Sequence, residues 1–388
     1  MERDELAAWL RLTLTPGVGN LSARRLLTAF GLPANVFAQP IHALQTCCSA
    51  AQASALQTIP AGWASLLDTT WAWLYASDRP ETPARAIVAL GHPLYPPALF
   101  QTEDPPLMLY MMGPARFLQP SVFAQMRCLA MVGSRNPTPQ GQENARQFAN
   151  TLRGAGLTIV SGLALGIDAA AHEGALTAAT EHDTTPATIA VVGTGLDRVY
   201  PRQHLDLARR IAAQGLLVSE YPLGTPPLAA NFPKRNRIIS GLAQGTLVVE
   251  AAPASGSLIT ARLASEQGRE VFAIPGSIHS IQSRGCHSLI RQGAKLVELA
   301  QDVLEELPWP ADAARPSETP QAAACTDAPD TECDALLTAL GFDPIGMDAL
   351  QARTGYDTAT LQVQLLEMEL AGAVSRLPGG LFQRMGCA

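Results

Sequence analysis

The sequence predicts an α/β protein whose central part is a doubly wound, mostly parallel sheet. Between residues 127 and 308, short apolar runs alternate with stretches of helical periodicity. This alternation requires crossover connections, which make neighbouring strands parallel. The apolar runs are continuous, as expected for strands covered by helices on both faces. At 388 residues the chain also exceeds the size of a single core, so smaller domains should flank the sheet.

Seven strands and seven helices are predicted in this central region, in strict alternation. The predicted strands are Cys128–Val132, Leu157–Ser161, Ala187–Val192, Leu216–Ser219, Thr246–Glu250, Glu270–Ile274 and Lys295–Val297. The predicted helices are 140–153, 166–178, 203–213, 236–243, 257–267, 286–292 and 301–307.

The flanking segments have different patterns. Residues 1–77 predict a small helical domain, whose turn at 15–19 resembles those of helix-hairpin-helix modules but fits a simple helix connector better. Residues 78–126 are rich in proline and predict an extended connector that ends in an edge strand at Leu107–Met112. Residues 309–333 lack periodicity and predict a linker. Residues 334–388 predict a winged-helix domain, with three helices and a closing hairpin.

Charge is distributed unevenly along the chain. The formal net charge is −7, but residues 121–308 carry 16 basic and 15 acidic side chains, whereas residues 309–388 carry 4 and 11. The middle domain is therefore compatible with a polyanionic partner. The predicted recognition helix of the winged-helix domain has two acidic residues and no basic one, which favours a protein contact or a structural appendage over DNA reading.

Composition and the first residues predict a cytoplasmic protein without membrane insertion. The seven cysteines, which lack a Cys-x-x-Cys pair, indicate reduced thiols, and they are Cys47, Cys48, Cys128, Cys286, Cys325, Cys333 and Cys387. No apolar run reaches the roughly 20 residues that a membrane-spanning helix needs, and residues 1–5 are charged where a signal peptide would be apolar.

Small and hydroxyl-bearing residues recur where the predicted strands end. Because parallel strands end at one edge of the sheet, the turns that follow them line a common rim, where ligands of doubly wound sheets bind. Backbone amides and hydroxyls at such a rim suit phosphate oxygens, although any single turn of this kind also serves the chain reversal alone. A basic run, which includes one of only two lysines, opens a helix beside this rim. The residues predicted to bind a phosphate-bearing ligand are Gly133, Ser134, Arg135, Ser161, Gly162, Lys234, Arg235, Asn236, Arg237, Ser255, Gly256 and Ser257.

The sequence contains little evidence for a nucleotide, catalytic or metal site. There is neither a Gly-x-Gly-x-x-Gly nor a P-loop motif, so no cofactor is predicted. Asp168 and His172 are spaced as an acid–base pair, but a local polar contact fits better. Cys286, His287 and His279 do not form a tetrahedral metal-ligand set, and no serine triad is visible. The sequence therefore predicts a binding protein, without catalytic or metal-binding residues.

The middle of the chain resembles the DNA-processing protein A family (DprA, also called Smf). The resemblance rests on the motifs Val132–Arg135, Ser161–Ala164, Gly166–Asp168, Ala171-His172, Gly195–Asp197, Tyr200-Pro201, Phe232–Leu242, Ser255–Ala261 and Pro275-Gly276. It implies a Rossmann-like, doubly wound fold and a homodimer that binds single-stranded DNA, protects incoming strands during natural transformation and hands them to the RecA recombinase. It also implies that Arg135 and the Lys234–Arg237 run line the DNA pocket.

Two other functions compete with single-stranded DNA binding. The same rim could hold a nucleotide-derived small ligand, as an enzyme or a sensor, since the fold alone does not decide function. A winged-helix transcription factor is disfavoured by the acidic recognition helix. If the rim binds a DNA strand, Tyr221 or Phe232 could stack a base, although both also suit the core.

Overall fold

The computed structural model describes residues 1–76, 82–307, 331–341, 343–377 and 379–385. The first residues of the predicted connector and residues 309–330 of the predicted linker lie outside this range. A helix begins at Thr331, so the final three residues of the predicted linker are helical.

A nine-stranded sheet forms the centre of the molecule. Its strands are β1 Ala84–Ala89, β2 Met108–Gly113, β3 Cys128–Val132, β4 Thr158–Ser161, β5 Thr188–Val191, β6 Leu216–Ser219, β7 Gly245–Val248, β8 Glu270–Ala273 and β9 Lys295–Leu296. They are arranged in the order β1-β2-β6-β5-β4-β3-β7-β8-β9. From β6 to β9 all neighbours are parallel, whereas β1–β2 and β2–β6 pair antiparallel. This confirms the predicted Rossmann-like, mostly parallel sheet.

Helices cover both faces of this sheet. The described helices from the start of the chain to residue 307 are α1 Arg3–Leu14, α2 Asn20–Phe30, α3 Pro33–Phe37, α4 Ile41–Leu44, α5 Ala50–Gln57, α6 Trp63–Tyr75, α7 Pro97–Phe100, α8 Pro120–Gln125, α9 Pro139–Gly154, α10 Ile167–Thr177, α11 Leu205–Gln214, α12 Asn231–Leu242, α13 Ser257–Glu266, α14 Arg284–Arg291 and α15 Ala300–Glu306. Alternate residues of β3 enter different cores: Leu129 and Met131 pack with α9 and α10, and Ala130 and Val132 with α12 and α13. Both faces are therefore buried, which explains the continuous apolar runs.

The predicted connector contributes two strands to the sheet. The expected strand at 107–112 is β2, but it is not an edge, because β1 lies outside it. This corrects the interpretation of residues 78–126 as an extended connector. The prolines of residues 82–126 lie in the turns around both strands and in short helices, and none lies within β1 or β2, so proline density concealed the strands.

Helices α1–α6 form the predicted small helical domain. The turn at 15–19 joins α1 and α2, and Gln52 Nε2 donates to the Gly17 carbonyl at 2.7 Å. The final segment has α16 Thr331–Leu340, β10 Ile345–Gly346, α17 Met347–Thr354, α18 Thr358–Leu370, β11 Val374–Leu377 and β12 Leu381–Arg384. Its three-stranded sheet and helices confirm the winged-helix prediction. Within the described ranges, no helix has the length and apolar character to cross a membrane.

Candidate nucleic-acid interface

The strand order reverses between β3 and β7, and a cavity opens there. The chain runs outward from β3 through β4 and β5 to β6, then crosses back through α12 to β7 on the other side of β3. Ligands of doubly wound sheets bind at such a switch point. The cavity has a volume of about 470 Å³. Eight predicted site residues line it, namely Gly133, Ser134, Arg135, Arg235, Asn236, Ser255, Gly256 and Ser257.

The turn after β3 is held closely against its neighbours. The Ser134 N–H donates to the Glu250 carbonyl at 2.7 Å, and the Asn136 N–H donates to Ser134 Oγ at 3.1 Å. A Cβ on Gly133 would lie 2.6 Å from Ile167 Cγ1, so only glycine fits here. The next residue, Arg135, is exposed and has neither a hydrogen bond nor an ion pair with the described part of the chain. Its guanidinium is therefore available to a ligand.

The start of α13 faces the same cavity. Ser255 Oγ and Ser257 Oγ lie 2.7 Å apart, and the Ser257 N–H donates to Ser255 Oγ at 3.3 Å. Gly256 occupies the N-cap position, so no side chain caps the helix from there. Asn236 Nδ2 reaches the Gly256 carbonyl from α12 at 3.4 Å. Two hydroxyls, the positive end of a helix dipole and an amide thus meet at one wall, a combination suited to phosphate oxygens.

The start of α9, at the same switch point, is already occupied. Glu250 accepts hydrogen bonds from Thr138 Oγ1 at 2.6 Å and from the Thr138 N–H at 2.9 Å. A Cβ on Gly141 would lie 2.3 Å from the Glu250 carboxyl carbon. Burial raises the pKa of Glu250, while the two hydrogen bonds act in the opposite direction. A phosphate at this helix start would meet a carboxylate, which agrees with the absence of a dinucleotide motif from the sequence.

Arg235 lies at the floor of the cavity instead of on its surface. It is 4% exposed, and its guanidinium donates to the Val191 carbonyl. Burial lowers its pKa to about 10, and the nearby Asp168 carboxylate opposes that shift. A Cβ on Gly162 would lie 2.0 Å from Arg235 Nη1, so the glycine after β4 makes room for this buried cation.

Arg237 does not line the cavity, which corrects its prediction as a site residue. It forms ion pairs with Asp104 at 2.8 Å and Glu220 at 2.5 Å, and its side chain is 11% exposed. Lys234, by contrast, is exposed. Consecutive residues of a helix point in different directions, so a run of four cannot share one face. The structure brings Arg235 and Asn236 into the cavity and leaves Arg237 beneath α12.

Ser161 and Gly162 lie below the rim. Ser161 is fully buried and donates to the Met131 carbonyl at 2.6 Å, and the Gly162 N–H donates to Asp168 Oδ2 at 3.1 Å. Asp168 therefore secures the turn after β4, as the local-contact interpretation predicts. His172 does not pair with it but shares a 2.7 Å hydrogen bond with Thr188 Oγ1.

The remaining candidates do not add a second site. His287 Nε2 lies 3.0 Å from the Gly276 carbonyl, Cys286 is buried, and the described residues contain no group of three side chains that could hold a metal. A larger cavity of about 810 Å³ lies between α11 and the end of β2. Its lining is mainly apolar, and it is not at the switch point, so the smaller cavity fits an anionic ligand better.

Three aromatic side chains lie beside the cavity. Tyr221 donates its hydroxyl to the Asn231 carbonyl at 3.1 Å, which gives it a structural contact. Phe232 lines the cavity and packs against Tyr200. Tyr200 was not predicted as a site residue, although it belongs to the Tyr200-Pro201 motif. Its place shortly after the turn that follows β5 is the sequence signal that could have identified it.

Comparisons with known proteins identify the family to which the chain is similar. The family model for DNA recombination-mediator protein A matches residues 86–308, and the DprA winged-helix model matches residues 317–380. Protein Smf of Escherichia coli (strain K12) is 42% identical over 324 residues, which cover 81% of this chain and 80% of that protein. DNA processing protein DprA of Streptococcus pneumoniae is 47% identical over 213 residues, which cover 55% of this chain and 71% of that protein.

Solved structures agree with the sequence comparisons. DprA from Streptococcus pneumoniae superposes with a TM-score of 0.62 at 34% identity, covering 80% of this chain and 99% of that one. DprA from Helicobacter pylori, whose structure is described in terms of its single-stranded DNA binding mode, gives 0.50 at 28% identity, covering 58% and 97%. Since one family model matches residues 86–308, a second matches residues 317–380, and relatives of 42–47% identity carry the same family names, this chain belongs to the DNA recombination-mediator protein A (DprA) family.

Proposed function

We propose that this protein binds single-stranded DNA along the switch-point cavity, protects incoming strands during natural transformation and passes them to the RecA recombinase, acting as a homodimer. The observation that carries the proposal is the cavity itself. It collects the Gly133–Arg135 turn and the open start of α13, with Arg135 free to meet a phosphate. The described binding mode of the Helicobacter pylori relative supports the choice of ligand.

Each part of the cavity has a role in this proposal. Within the cavity, phosphate oxygens are bound by Arg135, Asn236 and the hydroxyls of Ser255 and Ser257. Lys234 is exposed outside the cavity lining and contacts the phosphates of the strand as it continues along α12. The buried cation Arg235 adds positive potential at the floor, where it is screened less than a surface charge. No bond is broken, because the acidic groups near the cavity are engaged internally: Asp168 holds a turn and Glu250 holds the start of α9.

The test replaces both free cations, Arg135→Ala with Lys234→Ala, in the full chain. We expect affinity for a labelled single-stranded oligonucleotide, measured by fluorescence anisotropy, to fall by at least about tenfold. Each phosphate contact on a single strand contributes a slope of about 0.7 to the dependence of log K on log salt. The slope should therefore decrease in magnitude by about 1.4 in the double variant.

The matched control is Arg210→Ala with Arg291→Ala, which removes the same charge. Both arginines are exposed: Arg210 lies in the middle of α11, and Arg291 is the last residue of α14. Neither lies at the rim, because the chain enters both helices from the rim side of the sheet. Unchanged affinity in a folded Arg135/Lys234 variant, or equal loss in the control, would refute the proposed site. A melting temperature raised by mononucleotides but not by oligonucleotides would support the nucleotide-ligand alternative. The same variants test the recombination step: the wild type should accelerate RecA assembly on single strands, and the double variant should not.

A further inference from the structure

Tyr200 is an exposed aromatic side chain at the edge of the switch-point cavity. Its relative exposure is 48%, and its ring centroid lies 5.6 Å from that of Phe232, with 36° between the two planes. Phe232 itself lines the cavity. The tyrosine ring thus contacts Phe232 in a tilted arrangement, and nearly half of its side chain remains accessible to solvent.

The supporting ring of Phe232 is fixed by its neighbours. A Cβ on Gly193 would lie 3.1 Å from Phe232 Cδ1, so the turn after β5 passes directly beside the phenyl ring. Asn231 Nδ2 donates to the Gly193 carbonyl at 3.1 Å and holds the start of α12 against that turn. The support is therefore in place before any ligand arrives.

The segment that carries Tyr200 is tied to the rim as well. His204, four residues later, forms a 3.0 Å hydrogen bond between Nδ1 and the Leu163 carbonyl. Leu163 lies in the turn after β4 with φ of 60°, and the next residue, Ala164, lines the cavity. The Tyr200 hydroxyl makes no hydrogen bond to the residues that the structure describes. No polar contact therefore explains the placement of this ring.

We propose that Tyr200 stacks an unpaired nucleobase of the strand whose phosphates occupy the cavity; this rests on the proposed function and extends it from phosphates to bases. Every base has a π face, so aromatic stacking tolerates any sequence. The supported ring presents such a platform without the cost of ordering a mobile side chain. The pair Tyr200 and Phe232 is called the stacking shelf below.

The experiment compares an ordinary oligonucleotide with one of equal length that carries abasic spacers. The full-length wild type should bind the base-bearing strand about tenfold more tightly or better. Tyr200→Ala should lose several-fold of this preference while binding the abasic strand as the wild type does. Tyr200→Phe keeps the ring and should behave as the wild type, and melting temperatures verify that each variant is folded.

Tyr75→Ala is the matched control. Tyr75 is 56% exposed and also leans on an aromatic ring, that of Trp71 at 4.5 Å, but it lies on α6 in the N-terminal helical domain. A wild type that binds both strands equally, or a Tyr200→Ala variant with an unchanged preference, would overturn the stacking shelf and leave the phosphate site intact. Failure of the proposed function looks different, because neither strand would then depend on Arg135 and Lys234.

Discussion

Two helices start at the switch point, and their first turns are used in opposite ways. At α9, the Glu250 carboxylate accepts both the hydroxyl and the N–H of Thr138. At α13, the neighbouring polar groups are the hydroxyls of Ser255 and Ser257, and the helix start opens into the cavity. A helix start attracts anions in either case. The protein places its own carboxylate at the start of α9, whereas the first amides of α13 are bonded only to neutral oxygens of Ser255 and Gly256, so that start keeps its positive potential for a ligand.

The same contrast divides the polar side chains around the cavity into two groups. The closed group is bonded internally and consists of Asp168, His172, Arg237 and Glu250. The open group faces solvent or the cavity and consists of Arg135, Lys234, Ser255 and Ser257. Substitutions in the closed group should change the free energy of unfolding, and substitutions in the open group should change DNA affinity.

The largest expected effect is that of Arg237→Ala, in the closed group. The change would leave the Glu220 carboxylate, whose side chain is 8% exposed, without its ion-pair partner. Removing one member of a buried pair costs about 3–5 kcal/mol, because the remaining charge stays desolvated. Urea denaturation should show that loss, whereas Lys234→Ala, on the same helix, should change stability by less than about 0.5 kcal/mol.

Adding Glu220→Gln to the Arg237→Ala variant is the control. Removing the stranded charge should restore part of the lost stability. An Arg237→Ala variant that keeps wild-type stability but no longer binds DNA would move Arg237 to the open group and contradict the division.

The sequence predicted most strands of the sheet, because the apolar run that marks a buried strand lies within a few consecutive residues. Continuous apolar runs gave β3 and β6 with their observed bounds, since each strand is buried on both faces. It missed β1, whose six residues lie between proline-rich turns. Register and partner choice depend on residues far apart along the chain, so the pairing of β2 with β6 could not be predicted from local pattern.

The candidate site was predicted less completely, for a related reason. Glycine, serine and arginine at strand ends are visible in sequence, but what each side chain contacts is not. Arg135 and Arg237 have the same chemistry, and only the acidic partners at 104 and 220 distinguish a free cation from a paired one. Glu250 closes the start of α9 from 112 residues away, a distance at which no motif could connect it with Thr138.

A carboxylate introduced at the open helix start should make it resemble the closed one. Ser255→Asp places a negative charge beside the first turn of α13, where it would repel a phosphate. Juxtaposed like charges cost several kcal/mol, so DNA affinity should fall about 100-fold, with a smaller loss at high salt. Stability should stay level or rise slightly, because Asp favours helix starts. Anisotropy and thermal melting measure the two effects separately.

Glu250→Gln is the reciprocal change at the closed start. It weakens the contacts to Thr138 and should cost about 1 kcal/mol of stability, with DNA affinity within about twofold of the wild type. A Ser255→Asp variant that binds DNA normally would show that the strand does not contact the start of α13. It would contradict the contrast between the starts of α9 and α13.

The prediction that requires a change of pH concerns His172, the member of the closed group that titrates near neutral pH when the chain unfolds. Burial, assisted by the charges of His204 and Arg235, lowers its pKa to about 3. Between that value and the unfolded pKa of about 6.5, the unfolded chain binds a proton that the folded chain does not, so stability falls as pH decreases. From pH 7 to pH 5 the loss amounts to about 2 kcal/mol.

Urea denaturation of His172→Gln at both pH values should show a correspondingly smaller decrease in stability. The carboxyls of Asp168 and Glu250, whose pKa is raised by burial, contribute equally to both proteins. An identical pH dependence in the two proteins would mean that His172 can be protonated within the fold, and it would then no longer belong to the closed group.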